Sequence, residues 1–277
     1  RLGVNVLGIG RRRVIAGISD PEISEYTINK FNEEMNLSFT GIQSVEKKGK
    51  QLLIKTADKE ILTDKVLVTS GRKTNWENLD PSKLNLKYDK KNRPVYCNKT
   101  FLLEGYDHIY VAGDITGDKP ILHEASDEGK IAGFNAVNGR TEFQTRTELN
   151  ITFTDPNIAD VGKRYHELVD SGVVFETGKV SFEGQGRSIV KLKEKGLLHV
   201  YGEKSSGKLL GAEMFGPETE HIAHLLSWAI SQKMTVNEVL ALPFYHPVIE
   251  EGLRTSLRDL RSKVDEEVPV LEISPLK

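Results

Sequence analysis

The sequence predicts an α/β region of partial parallel-sheet nucleotide-binding type, followed by an α+β domain with an antiparallel sheet. Three observations carry this. In the first 75 residues, apolar strand-like segments alternate with a well-capped helix, the pattern of strands joined by helical crossovers. An apolar strand, Ile109 to Ala112, then runs into a helix whose small residues recur every three to four positions. From about residue 148 the texture changes to a hairpin and then to amphipathic helices. Three segments follow, 1–75, 76–147 and 148–277.

The chain starts at Arg1 and enters the strand-like Val4 to Leu7 at once, so it reads as beginning inside a domain. Asp20 as N-cap, Pro21 at the first helical position and Glu22 in the first turn announce a helix. The short carboxylate accepts free N–H groups, the proline gives up a donor that has no partner there, and the glutamate complements the helix dipole. Leu52 to Thr56 and Val66 to Thr69 read as further strands. Asp80-Pro81 and Lys90 to Pro94 make the next segment rich in turns. It then gives the strand Ile109 to Ala112 and a helix with Ala125, Gly129, Ala132 or Gly133, and Ala136 on one face, small enough to approach a sheet or a ligand closely. In the third segment, Leu197 to Tyr201 and Leu209 to Met214 flank Ser205-Ser206-Gly207 and predict an antiparallel hairpin. Ile222, Leu225, Leu226, Ala229 and Ile230 form a helical stripe, Thr235 with Glu238 forms a capping box, and Pro247 opens a last helix through Leu253, Leu257 and Leu260.

A net charge of −2 and 38% hydrophobic residues describe a globular chain with material for ordinary cores. They give no electrostatic case for nucleic acid, and the longest basic run is Arg11-Arg12-Arg13. No apolar run approaches the roughly 20 residues of a membrane span, and no secretory-type leader opens the sequence, so a cytoplasmic protein without membrane contact is expected. The single cysteine, Cys97, excludes an internal disulphide and leaves no thiol pair for redox chemistry. No metal site is expected.

The sharpest phrase is Tyr110-Val111-Ala112-Gly113-Asp114, with His123 nine residues later at the mouth of the small-residue helix. A strand that delivers Gly and then Asp to its carboxyl end puts an acceptor where ligands of open α/β sheets bind, beside a position with no side chain. A ribose or ribityl hydroxyl suits that acceptor, and the helix N-terminus beyond it offers N–H groups to an electron-rich ring edge. The plainer reading is an ordinary turn aspartate.

Other phrases weigh against the plain reading. Thr100 with Tyr110-Val111-Ala112-Gly113-Asp114 resembles the second FAD-binding signature of the pyridine nucleotide–disulphide oxidoreductases. Val68-Thr69-Ser70-Gly71-Arg72-Lys73-Thr74-Asn75 resembles their crossing from NAD to FAD domain, with Thr74 in place of the usual proline. Residues Phe153 to Gly162 look like the opening of their dimerisation domain, and His246-Pro247-Val248-Ile249-Glu250-Glu251 resembles their C-terminal His-Pro…Glu motif. The four phrases stand in family order over nearly the whole chain, which is most similar to the dihydrolipoamide dehydrogenase branch.

The resemblance implies a partial NAD-binding domain in 1–75, the C-terminal part of an FAD-binding domain in 76–147 and a dimerisation domain in 148–277. It implies FAD and NAD as cofactors, a homodimer, and a dihydrolipoyl group on an acyltransferase, or a small disulphide, as redox partner. Gly8, Gly71, Arg72, Gly113, Asp114, Pro120, Ile121, Leu122, His123 and Ala125 then fall at cofactor-binding positions. His246 becomes the acid–base that serves the disulphide of the other subunit, with a carboxylate to hold it. Counting along a helix favours Glu250 for that carboxylate, the family spacing favours Glu251, and a His246 lying outside the helix frees the choice for Glu251. The first FAD fingerprint, the Cys-x4-Cys pair and the glycine-rich NAD turn are absent from this sequence. Gly8-Ile9-Gly10 does not replace the last, since position 13 is arginine and no helix begins before about Asp20. The chain is therefore expected to be the C-terminal portion of such an enzyme, inactive alone. Gly8 stands where a ribose-binding carboxylate is usual, and the arginines after it keep NADP open as an alternative to NAD. Glutathione- or mercuric-type reductases, and a non-catalytic dimerisation module, are the competing readings.

Overall fold

The computed structural model describes residues 2–72, 74, 80, 83–90 and 93–273. The chain divides into two compact units, residues 1–66 with 147–277 in the first and 67–146 in the second.

The first unit opens with β1 (Leu7–Ile9), α1 (Pro21–Asn32) and β2 (Asn36–Ser38), a crossover that pairs the two strands in parallel. Asp20 caps α1 as expected, its Oδ1 accepting the N–H groups of Glu22 and Ile23 at 3.0 and 3.1 Å. An antiparallel meander follows, β3 (Ser44–Lys48), β4 (Gln51–Lys55) and β5 (Glu60–Thr63). Two expected strands are corrected. The first lies at Leu7–Ile9 rather than Val4 to Leu7, and Val66 to Thr69 form none, with Leu67 and Val68 88% and 76% exposed. A β-prone run becomes a strand only where a neighbour offers a ladder, and these runs have no partner among the described residues.

The rest of the unit is built on one antiparallel sheet. Its order is β6 (Leu149–Thr152), β7 (Asn157–Gly162), β10 (Leu209–Gly216), β9 (Leu197–Glu203), β8 (Phe175–Ser181). The β9–β10 hairpin stands where Ser205-Ser206-Gly207 predicts it. Alternation along the strands sorts side chains to two faces. One face carries Ala159, Val161, Leu198, Val200, Ala212 and Met214 into the main core. Three helices cover it: α5 (Thr219–Ser231), α6 (Val236–Leu240) and α7 (Glu251–Arg261). Each fully buried leucine in that core is worth about 1.5–3 kcal/mol of transfer free energy. The other face carries Ile158 and Phe215, which pack with Ile18 and Ile23 of the α1 segment, and a polar group described below. Helices thus cover both faces of the sheet, because the α1 segment packs on the side that the C-terminal helices leave free. Two short helices, α3 (Tyr165–Ser171) and α4 (Gly186–Val190), lie in the connections.

The last helix begins at Glu251, not at Pro247, because the chain through Glu250 turns and the Glu251 carboxylate accepts the Val248 N–H at 3.3 Å, capping the helix from inside. It seats closely on the sheet: a Cβ at Gly178 of β8 would lie 2.2 Å from the Ser256 carbonyl oxygen. In α5 the stripe is narrower than expected, with Leu225 40% exposed.

In the second unit, Ile109 to Ala112 make only an isolated bridge, Leu102 to Tyr110, and no regular strand. A 3-10 turn, Gly113–Thr116, leads to α2 (Leu122–Asn138). Phe101, Leu102, Leu103, Val111 and Ala132 of α2 are buried in this unit, and Asn135 of α2 donates to the Thr100 carbonyl and accepts from Thr141 N–H at 2.6 Å. Among the described residues no helix is long and apolar enough to cross a membrane.

Candidate functional site

Apart from Gly8, the expected residues gather in two clusters, one in each unit. In the second unit Gly113 has φ +78°, which favours glycine, and a Cβ there would come within 3.3 Å of the Ala125 Cβ on α2. Its N–H donates to Glu128 Oε2 at 2.6 Å. Asp114 follows, half-exposed, with one oxygen 2.9 Å from Arg72 Nη1, and Arg72 Nη2 donates to the Pro120 carbonyl at 2.6 Å. Arg72 therefore joins the two ends of the loop between Gly113 and α2. The N-terminus of α2 carries no side-chain cap at Ile121, so its first-turn N–H groups, at Leu122, His123 and Glu124, face outward as donors. A carboxylate acceptor, a glycine that admits close approach and an uncapped helix start suit a polyol with an electron-rich ring, so these residues fit a flavin. His123 is half-exposed and Gly71 is exposed at φ +99°, while Lys73 and Asn75 of the crossing phrase lie outside the described residues.

Glu128 was not singled out in the sequence. Burial pushes its carboxyl pKa above the ordinary value, against the pull of the Gly113 N–H. The available signal was a glutamate on the small-residue face of α2, where a plain packing helix has no use for a charge.

In the first unit His246 is four-fifths exposed, and its Nδ1 lies 2.8 Å from Glu251 Oε1. Glu251 is the partner, and Glu250 serves as N-cap position of α7. The hydrogen bond from His246 is the main cause that lowers the Glu251 pKa. With Nδ1 engaged, Nε2 is turned to solvent and free for exchange of a proton. The loop is fastened further by Gln185 Nε2, which donates to the Val248 carbonyl at 3.0 Å.

Gly8 lies in β1 opposite Leu37, where a Cβ would come to 2.8 Å from Leu37 Cδ2. A side chain at that point would have to displace the end of Leu37. Arg13 pairs with Glu25 at 2.7 Å, while Arg11 and Arg12 are exposed. Cys97 is exposed, its thiol pKa lowered chiefly by the Thr100 hydroxyl.

A second buried polar group escaped the sequence altogether. Glu213 of β10 accepts from Ser19 N at 2.6 Å, Asp20 N at 3.0 Å and Tyr165 N at 3.1 Å, as well as from the Ser19 and Tyr201 hydroxyls. Asp20 Oδ2 in turn meets His199 Nδ1 at 2.7 Å and Tyr201 Oη at 3.1 Å. Burial pushes the Asp20 carboxyl pKa up, but the His199 bond and charge, the Ile23 N–H and Tyr201 hold it below the ordinary value.

Comparison with known proteins gives two matches to family models. Residues 1–129 match a model described as pyridine nucleotide-disulphide oxidoreductase, and residues 149–257 match the dimerisation domain of the same description. A dihydrolipoyl dehydrogenase of Haloferax volcanii is 28% identical over 197 residues, covering 71% of this chain and 41% of the relative. The mitochondrial dihydrolipoyl dehydrogenase of Mus musculus is 26% identical over 264 residues, covering 92% and 52%. The chain thus spans about half the length of the relatives it matches. Among solved structures, LpdA of Mycobacterium tuberculosis superposes with a TM-score of 0.81 at 22% identity, over 94% of this chain and 57% of that one. The flavoprotein disulfide reductase RclA of Escherichia coli gives 0.79 at 17% identity, over 95% and 60%. At these identities the two structures speak for the fold alone.

Proposed function

Since this chain belongs to the pyridine nucleotide–disulphide oxidoreductases and is most like their dihydrolipoyl dehydrogenases, we propose that it is the C-terminal portion of a flavin-dependent enzyme that oxidises dihydrolipoyl groups with NAD. The single observation that carries this reading is the His246–Glu251 pair on an exposed loop of the dimerisation domain.

FAD, when bound, relays electrons between the nicotinamide and a redox disulphide. The residues of this chain do the rest. Asp114 accepts a ribityl hydroxyl, the uncapped start of α2 donates to the ring edge, and Gly113 lets the cofactor approach. Glu251 fixes the imidazole of His246 through Nδ1, so that Nε2 is the nitrogen that takes a proton from the substrate dithiol and returns it in the reverse direction. A thiol near its reference pKa of about 8.5 and an imidazole near about 6.5 exchange protons without a large penalty in either direction. Two subunits complete one site: His246 faces the disulphide of a second copy, and a homodimer follows. The acyltransferase-borne lipoyl group is the substrate, NAD the acceptor, and the compartment a reducing one.

The test is made in the full-length enzyme by separating its two half-reactions. His246→Gln should slow reduction of the enzyme by dihydrolipoamide about 10² to 10⁴-fold and leave hydride transfer nearly unchanged. Glu251→Gln should give the same pattern more weakly, and Glu250→Gln should be silent. A His246→Gln enzyme with unaltered rates in both half-reactions would remove the reading. For the nucleotide, exposed Arg11 and Arg12 favour NADP as the alternative, and turnover with the two nucleotides decides between them.

A further inference from the structure

The loop that carries His246, residues 241–250, is hung between two posts, the end of α6 at Leu240 and the start of α7 at Glu251. Its tip is exposed, with Leu242 48% and Tyr245 78% accessible, so its position depends on what holds the posts. The chain beyond α7 touches both. After Val264 packs on the main core, Asp265 N donates to the Lys204 carbonyl at 2.7 Å. The Glu267 carbonyl then accepts Asn237 Nδ2, from α6, at 2.9 Å.

Glu272 closes on α7. Its Oε1 takes Arg258 Nε at 2.9 Å and Arg261 Nη2 at 2.9 Å. Its Oε2 takes Arg258 Nη2 at 2.6 Å and Arg254 Nη2 at 3.0 Å. Arg254, Arg258 and Arg261 stack along one side of the helix and repel one another unless an anion stands among them. Glu272 is that anion, with its side chain only 16% exposed. Arg254 does more than hold Glu272: its guanidinium lies 5.7 Å from the centre of the Phe244 ring, two residues before His246.

We propose that residues 264–273 are a strap that fixes the spacing of α6 and α7 and so positions the His246 loop, with Arg254 passing the hold of Glu272 to the loop through Phe244. Arg254 and Glu272 are positioning residues in this arrangement. The kinetic consequence rests on the acid–base reading of His246, while the mechanical one does not.

The experiment uses the full-length protein and amide hydrogen exchange followed by mass spectrometry. Glu272→Gln, which loosens the α7 end, and Asn237→Ala, which frees the α6 end, should each speed exchange of peptides covering 242–250 about tenfold, with β9 and β10 unchanged. Arg254→Lys should leave the strap docked on Arg258 and Arg261 but loosen the loop, since an ammonium does not stack flat on a ring. The proposal falls if the strap peptides loosen and the loop does not, if Glu272→Gln leaves the strap docked, if Arg254→Lys is silent, or if exchange rises equally throughout the sheet. In the same Glu272→Gln protein the dithiol half-reaction should slow about tenfold with hydride transfer steady, the cost of a misplaced proton carrier. A loosened loop with an unslowed half-reaction would leave the strap standing and overturn the acid–base reading of His246.

Discussion

Glu128 places a buried carboxylate against the N–H of Gly113, and the two halves of that contact have opposite effects on stability. The hydrogen bond satisfies a donor that has no other partner in the turn, while the charge resists burial. Because the folded pKa is raised, the stabilising share belongs to the protonated form: it is present below the ordinary carboxyl value and is lost as pH rises through the raised one. Glu128→Gln, which keeps an acceptor without the charge, should therefore be more stable than the parent at pH 8 and less distinguishable from it at pH 5, as read from urea midpoints. Glu128→Ala strands the Gly113 N–H and should cost about 1–3 kcal/mol at either pH. Asp114 acts at the same scale but on a ligand. Asp114→Ala should lower flavin affinity of the full-length enzyme by roughly one to two decades, checked by flavin fluorescence during dilution, and an unchanged affinity would take Asp114 out of the flavin site.

Helix α7 shows how an element is seated. Gly178 of β8 leaves room for the Ser256 carbonyl, and Gly202 of β9 leaves similar room for Leu260. Gly178→Ala should lift the helix from the sheet and cost about 1–3 kcal/mol or more by thermal unfolding, despite adding a single methyl group. The strap after α7 answers to acid. Glu272 has its pKa lowered to about 2, first by the Arg258 hydrogen bond. A lowered folded value means that the strap's contribution is complete above the ordinary 4.5 and is lost as pH falls toward about 2, so protection of the 266–273 amides should fade across that interval. Elements signalled by neighbours in sequence were legible beforehand: Asp20-Pro21-Glu22 opens α1, Thr235 with Glu238 caps α6, and Ser205-Ser206-Gly207 turns the hairpin. So was the pairing of His246 with Glu251, although only family spacing chose it over Glu250. What was not legible depends on partners far along the chain. Arg72 meets Pro120, Glu272 meets three arginines, and Glu213 meets Ser19 and Asp20, and no periodicity marks such encounters. Val66 to Thr69 fail for the same reason in reverse, since their composition favours a strand and no neighbour among the described residues receives it.

At the scale of the whole molecule, the polar group around Glu213 decides what folds with what. Through Ser19, Asp20, Tyr165, His199 and Tyr201 it fastens the α1 segment to the second face of the five-stranded sheet. Glu213→Ala leaves several buried donors unanswered at once and should cost about 3–5 kcal/mol. Calorimetry should show the loss in the unit formed by 1–66 and 147–277, while amide protection at Phe101 to Leu103 in the other unit stays as it was. A variant in which both units weaken together would show them to be one cooperative block. Asp20 and Glu213 lie 193 residues apart in the chain. During synthesis at about 5–20 residues per second, roughly 10 to 40 s separate the emergence of the first from that of the second. Throughout that interval Ile18 and Ile23, which pack on Ile158 and Phe215 in the finished protein, lack that face of the five-stranded sheet. Slowing translation between codons 66 and 213 should therefore prolong the exposure of that face, read as greater protease cleavage within the α1 segment of nascent chains.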